Sequence, residues 1–155
     1  MDEKRWRRER DRAVEVHATA LERQRATELA RARELVARFA AQARERGLRT
    51  SPLTARPYHG RGRYRTGLRG WYLRPDGVLA VSEDGEFYVL TVPASVRARF
   101  TGVSPRPEEP RLVIGEGARD GERVALDELL RLRLAAGDDW PPAPGARGAP
   151  PVSRA

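Results

Sequence analysis

Between residues 2 and 46 the chain has no glycine or proline, and apolar side chains recur at Val14, Ala18 and Leu21, then at Leu29, Ala32, Val36, Phe39 and Ala43. The steps are three or four residues, with Arg25 standing in the one wide gap, which makes a heptad seam with a single four-residue stutter. Alanine, arginine, glutamate and leucine dominate the stretch, and all favour helix. The pattern predicts one helix over residues 2–46, about 65 Å long at ~1.5 Å per residue, with Gly47 as its stop. Such a helix is longer than a domain of this size can bury. Val14, Leu21, Leu29, Val36 and Phe39 are therefore candidates for an interaction seam. Three destinations are open to it. The part after Leu29 can pack on the chain's own β-rich domain, the seam can pair in a homo- or hetero-oligomeric coiled coil, or the helix can lie on nucleic acid. For the last, only residues 4–12 are dense in positive charge, with Trp6 among them as a stacking face.

The period changes at residue 70. Residues 70–92, GWYLRPDGVLAVSEDGEFYVLTV, hold three apolar runs divided by Pro75-Asp76-Gly77 and Glu83-Asp84-Gly85. This is the turn chemistry of a three-stranded antiparallel meander, with strands expected over 70–73, 78–82 and 86–92. Trp71 and Leu73 take one face and Tyr72 the other. In the third strand Phe87, Val89 and Thr91 oppose Tyr88, Leu90 and Val92, so it is expected to be central and covered on both sides. Residues 97–102 and 111–115 read as further short strands and 115–122 as an acidic turn-rich link. Residues 127–136 read as a second helix with Leu129, Leu130, Leu132 and Leu134 as its buried stripe, ended by Gly137, and Trp140 closes the core edge. From residue 141 the composition is that of a disordered tail.

Together these elements predict an α+β protein. A long, coiled-coil-capable helix (1–47) leads through a basic Pro/Gly-rich linker (48–69) to a compact β-rich domain (70–140), followed by the tail (141–155). The domain is expected to be a small antiparallel meander or partly closed barrel capped by one C-terminal helix. A length of 155 residues suits one small domain plus an extended element. No run approaches the ~18 apolar residues of a membrane helix. The N-terminus is charged where a secretory signal needs an apolar segment. A cytoplasmic protein without membrane contact is expected. The lack of cysteine excludes disulfides and thiolate metal ligands.

The formal net charge is +8, and its distribution says more than its size. Of 30 basic residues all but Lys4 are arginine, in a chain with no asparagine and one isoleucine, a bias that GC-rich coding produces whatever the function. Residues 1–50 carry +5, residues 51–69 another +5 and residues 70–155 carry −2. The densest run is the linker, where Arg56, Arg61, Arg63, Arg65 and Arg69 alternate with Tyr58, His59 and Tyr64 and no acid intervenes. Guanidinium forks bind phosphate and tyrosine rings stack on bases, so this segment is the candidate site for nucleic acid or another polyanion. The plainer outcome is a solvated loop whose arginines pair with acids of the β-domain.

Gly60-Arg61-Gly62-Arg63 resembles minor-groove hooks of the AT-hook type, without that pattern's flanking prolines. Trp71-Tyr72-Leu73 resembles the hallmark tripeptide of WYL-domain regulators. The likeness stops at three residues, since the chain continues Arg74-Pro75-Asp76-Gly77. Residues 50–140 are similar to small proteins of high-GC Gram-positive bacteria, a resemblance that implies no activity. Catalytic constellations are missing: His17 and His59 have no ligand-spaced companions, and no serine sits in a Gly-x-Ser-x-Gly elbow. No enzyme, cofactor or metal is expected. The expected function is a non-enzymatic cytoplasmic binding or adaptor protein using its basic segment. The alternative is a protein–protein module using the long helix.

Overall fold

The computed structural model describes residues 2–115 and 123–141; residues 116–122 of the acidic link and the tail from residue 142 lie outside the described residues. Helix α1 runs unbroken from Asp2–Glu45, 44 residues. Gly47, at φ +67°, ends it as expected. Its N–H donates to Arg44 O (3.0 Å) and the Leu48 N–H to Ala43 O (2.9 Å), which satisfies carbonyls the last turn leaves open.

Five strands follow: β1 (Ser51–Pro57), β2 (Tyr64–Tyr72), β3 (Leu79–Ser82), β4 (Phe87–Val89) and β5 (Thr91–Val92), in the sheet order β4-β3-β2-β1-β5. Both meander turns form where their residues indicate. Gly77 and Gly85 take positive φ (71° and 84°), and each N–H bonds back across its turn, to Arg74 O and Ser82 O. Gly70 is required for a different reason. A Cβ there would sit 2.1 Å from Val81 O, inside the β2–β3 ladder. Helix α2 (Val96–Thr101), a two-stranded ladder of β6 (Val113–Ile114) with β7 (Val124–Ala125), and helix α3 (Leu126–Ala136) complete the described chain.

Two apolar layers cover the two sheet faces. On one, Ala32, Val36, Phe39, Ala40 and Ala43 of α1 and Leu126 and Leu130 of α3 pack on Trp71, Leu73, Leu79, Val81 and Phe87. Phe39 meets Trp71 edge to face with ring centroids 5.8 Å apart, a favourable arrangement of ring quadrupoles. On the other face Leu53, Ala55, Tyr72, Ala80, Tyr88 and Leu90 form the second layer. The α+β layout is that of the sequence, but six particulars differ. Residues 48–69 are not a linker: most of them are β1 and the front of β2. Leu53, Ala55 and Pro57 alternate into the core there, while Pro52 sits at a register irregularity, where a strand tolerates proline.

The expected partly closed barrel is not formed, because the ladders do not make a closed sheet. Nor is the sheet wholly antiparallel, since β5 runs parallel to β1. The segment expected as a central strand instead supplies both sheet edges. Leu90 joins β4 to β5, its N–H donating to Val78 O (2.6 Å) and its carbonyl accepting from Arg56 N–H (2.9 Å). Phe87 and Tyr88 are still buried on opposite faces, so the both-sides apolar pattern reported coverage, not position. Residues 97–102, expected as a strand, are mostly helix α2. Ser95 caps it by accepting the Ala98 N–H (3.2 Å). On α3 the buried line is Leu126, Leu130 and Arg133, while Leu132 is 48% exposed.

Candidate functional site

The first candidate is the seam of α1. At ~3.6 residues per turn, Val14 and Ala32 are five turns apart and point the same way. Ala18, Leu21, Arg25, Leu29, Val36, Phe39 and Ala43 fall within a quarter-turn or so of that line. The seam therefore keeps one direction along the helix but changes environment. Ala32, Val36, Phe39 and Ala43 are buried, Leu29 is half-buried, and Leu21 and Val14 are 40% and 63% exposed. Every residue from Asp2 to Glu28 is exposed. The first 27 residues of α1 thus form an arm about 40 Å long, held only where the helix enters the body. Ion pairs run along it and beyond, Arg7 to Glu3 (2.8 Å) and Arg38 to Glu34 (2.8 Å) among them. Exposed i,i+4 pairs of this kind stabilise a helix by ~0.3–0.5 kcal/mol each. His17 is exposed on the arm.

Where the arm leaves the body a cleft of about 1080 Å³ opens between α1 and the loop before β6. Arg25, Glu28 and Leu29 line one wall and Glu108, Glu109, Arg111 and Val113 the other. A hollow of about 410 Å³ adjoins it, floored by Val36 and Phe87 and rimmed by Asp84, Glu86, Glu108 and Glu109. Arg33 reaches across to Glu109 (3.6 Å). The proximity of residues 84–86 to 108–109 comes from tertiary packing, which spacing along the chain does not report.

The second candidate, the basic segment, divides. Tyr64 is buried, its hydroxyl accepting the Ser95 N–H (3.0 Å), so it offers no stacking face. Arg63 is engaged internally, donating to Thr54 Oγ1, Thr54 O (2.6 Å) and Gly77 O (3.2 Å). Arg65 donates to Phe100 O (3.3 Å) and Arg69 to Thr50 O (3.2 Å), Arg69 also lying 3.9 Å from Glu83. Arg56, Tyr58, His59 and Arg61 are exposed at the β1–β2 connection, without an ion pair among the described residues. Of the seven predicted residues, Tyr64 is thus buried and Arg63 held by internal acceptors, while Arg56, Tyr58, Arg61, Arg65 and Arg69 stay exposed. Nearby, Val96 and Phe100 lie one turn apart on α2 and are three-quarters exposed (76% and 75%). Sequence reasoning missed them, because it places Phe100 in a strand over 97–102 and gives Val96 no element; the Ser95 cap is the available signal.

Arg133 is the buried cation of the fold. It donates to Tyr72 O (2.8 Å) and Gly137 O (2.8 Å), and its guanidinium stacks 4.5 Å from the Trp140 ring. Burial pushes its pKa down and the nearby Asp138 carboxylate opposes this. It locks the end of α3 to β2, a structural role. The 4-then-3 spacing from Leu126 through Leu130 to Arg133 was its sequence signal. Among the described residues no group of three or more His, Cys, Asp or Glu side chains is placed to hold a metal, and no helix is long and apolar enough to cross a membrane. No protein-family model, curated protein or solved structure matches the chain, which leaves its own residues to carry the functional reading.

Proposed function

We propose that the protein is a cytoplasmic, non-enzymatic interaction module that pairs helix to helix through the exposed half of α1. The observation that supports this best is the single apolar line that is buried at Ala32, Val36, Phe39 and Ala43 and exposed at Val14 and Leu21. Apolar burial stabilises by roughly 25 cal/mol per Å², and residues 2–28 contribute none of it to the body, so their rigidity serves something outside it. The test is the size of the native complex. Tagged chain from its native cells should sediment above the monomer, and the Val14→Asp/Leu21→Asp double variant should return it to monomer size with its thermal unfolding unchanged. A complex that persists in the double variant sinks the reading.

A second reading rests on Arg56, Tyr58, His59 and Arg61, exposed together at the β1–β2 connection, as a polyanion contact. Fluorescence polarisation with duplex and single-stranded oligonucleotides at about 50 and 200 mM salt addresses it. Low-salt binding that the Arg56→Ala/Arg61→Ala variant loses supports the contact. Binding that the variant keeps, or none at all, removes it.

A further inference from the structure

The exposed stretch of the seam runs directly into the cleft between α1 and residues 108–113. We propose that the occupant of both is a second copy of this chain, its α1 antiparallel to the first along Val14, Ala18 and Leu21, with its basic first turns seated in the cleft. The proposal rests on the helix-pairing reading above and specifies the partner.

The register follows from equal rise along two identical helices. With Ala18 of one copy opposite Leu21 of the other, Val14 faces Arg25, and residues 8–12 of each run beside residues 27–31 of the other, up to Ala32, where the body covers the seam. Those residues carry Glu28 and Leu29 of the helical wall of the cleft, and residues 4–7 continue past them toward the hollow that Arg33 lines. Residues 4–12 hold six basic residues and two acids. They would arrive among Glu28, Glu108, Glu109, Asp84 and Glu86, five exposed acids against Arg25, Arg33 and Arg111 of the same walls, with Arg33 paired to Glu109. A chain cannot place its own tip there, since an unbroken helix holds Trp6 about 40 Å from Arg33. A second copy brings the two charges together.

The seam's own charges select the same orientation. A parallel copy would set Arg25 against Arg25 and lay the two basic tips side by side. The antiparallel copy sets Arg25 opposite Val14, with Arg10, Asp11 and Glu15 around it, and so keeps the two Arg25 side chains apart; one charged seam residue thus specifies direction. Area points the same way. A stripe of one valine, one alanine and one leucine falls far short of the ~1,200–2,000 Å² of a stable interface. Antiparallel pairing adds both tips and both clefts in one isologous two-fold contact.

The chain has no cysteine, so disulfide trapping is free of background. An equimolar mixture of full-length Val14→Cys and Arg25→Cys chains should form the mixed disulfide, while Val14→Cys alone should not link to itself. In sedimentation equilibrium, Glu108→Arg/Glu109→Arg and Arg7→Glu/Arg8→Glu should each weaken the dimer about tenfold or more. The four substitutions combined should restore it to within about threefold of the parent. Circular dichroism verifies that each variant keeps its helix. Self-linking of Val14→Cys would mean parallel pairing, and a four-fold variant no better than its parents would remove the tip from the cleft; either overturns the proposal and leaves helix pairing standing. A recombinant chain that stays monomeric up to about 0.1 mM also overturns the proposal, some 100-fold above a micromolar Kd. Helix pairing with a different partner is then judged separately, by the native complex and its dependence on Val14 and Leu21.

Discussion

The two halves of α1 use the same few residue types on the same helical line, yet one half lies in the core and the other in water. In the buried half, Val36 and Phe39 supply volume while Ala32, Ala40 and Ala43 let the backbone lie close to the sheet and the Gly85 turn. In the exposed half the line continues through Val14, Ala18 and Leu21 but thins, with Arg25 on it and charge beyond Val14. The direction of a seam is thus a local property of spacing, while its burial depends on how much volume it carries. The comparison also explains why the arm is helical without packing. Nucleation is the costly step of helix formation, and the core-bound turns provide it, so the arm needs only to propagate.

The largest effect expected from this contrast is on stability. Phe39→Ala should cost about 3–5 kcal/mol in denaturant unfolding, because it removes the ring packed on Trp71 and leaves a cavity. Leu21→Ala, on the same line, should stay within about 0.5 kcal/mol in dilute protein. Equal losses at the two positions would mean that the arm is part of the folding unit.

Arginines repeat the contrast at smaller scale. Arg133→Met should cost about 2–3 kcal/mol, since it strands the Tyr72 and Gly137 carbonyls in a buried site. Arg131→Met breaks only an exposed two-bond pair with Glu128, 2.9 and 2.6 Å, and should shift the melt far less than Arg133→Met. The contrast narrows for Arg63 and Arg61: Arg63→Ala should cost about 1–2 kcal/mol through Thr54 and Gly77, while Arg61→Ala should leave unfolding unchanged within about 0.5 kcal/mol. Thermal melts of the four variants rank them.

How much of this was legible before any coordinates depended on whether the cause was local. The extent of α1, its Gly47 stop and both meander turns are local, and each was readable from spacing and turn residues. Residues 51–57 were not, because Pro52 and Pro57 look like loop punctuation. That they are compatible with β1 follows from a register irregularity against β2 at Pro52 and a strand end paired with β5 at Pro57. The division of the basic segment was also hidden. Arg61 and Arg63 differ by two positions, and only the place of Thr54 and Gly77 makes one structural and the other exposed. The cleft lay furthest from view, since Glu28, Glu108 and Glu109 meet across some eighty residues of sequence. The arm itself was the reverse case. Its length alone indicated that the body could not cover it.

The smallest expected effect is a pH dependence that should belong to the body alone. Tyr88 lies in the second apolar layer, and burial first, then the Glu86 and Asp84 carboxylates, push its phenol pKa up. A raised folded pKa means that the folded chain holds this proton more tightly than the unfolded one. The associated stability is complete below the ordinary tyrosine value of about 10. It is lost as pH rises from there through the folded pKa. Unfolding free energy measured across that alkaline range should therefore fall with a steeper slope in the parent than in Tyr88→Phe. Deleting residues 2–27 should leave the slope as it is, because no arm residue packs near Tyr88. A slope that follows the arm and ignores Tyr88→Phe would place the titrating group on the wrong side of the division and join the two halves of α1 into one energetic unit.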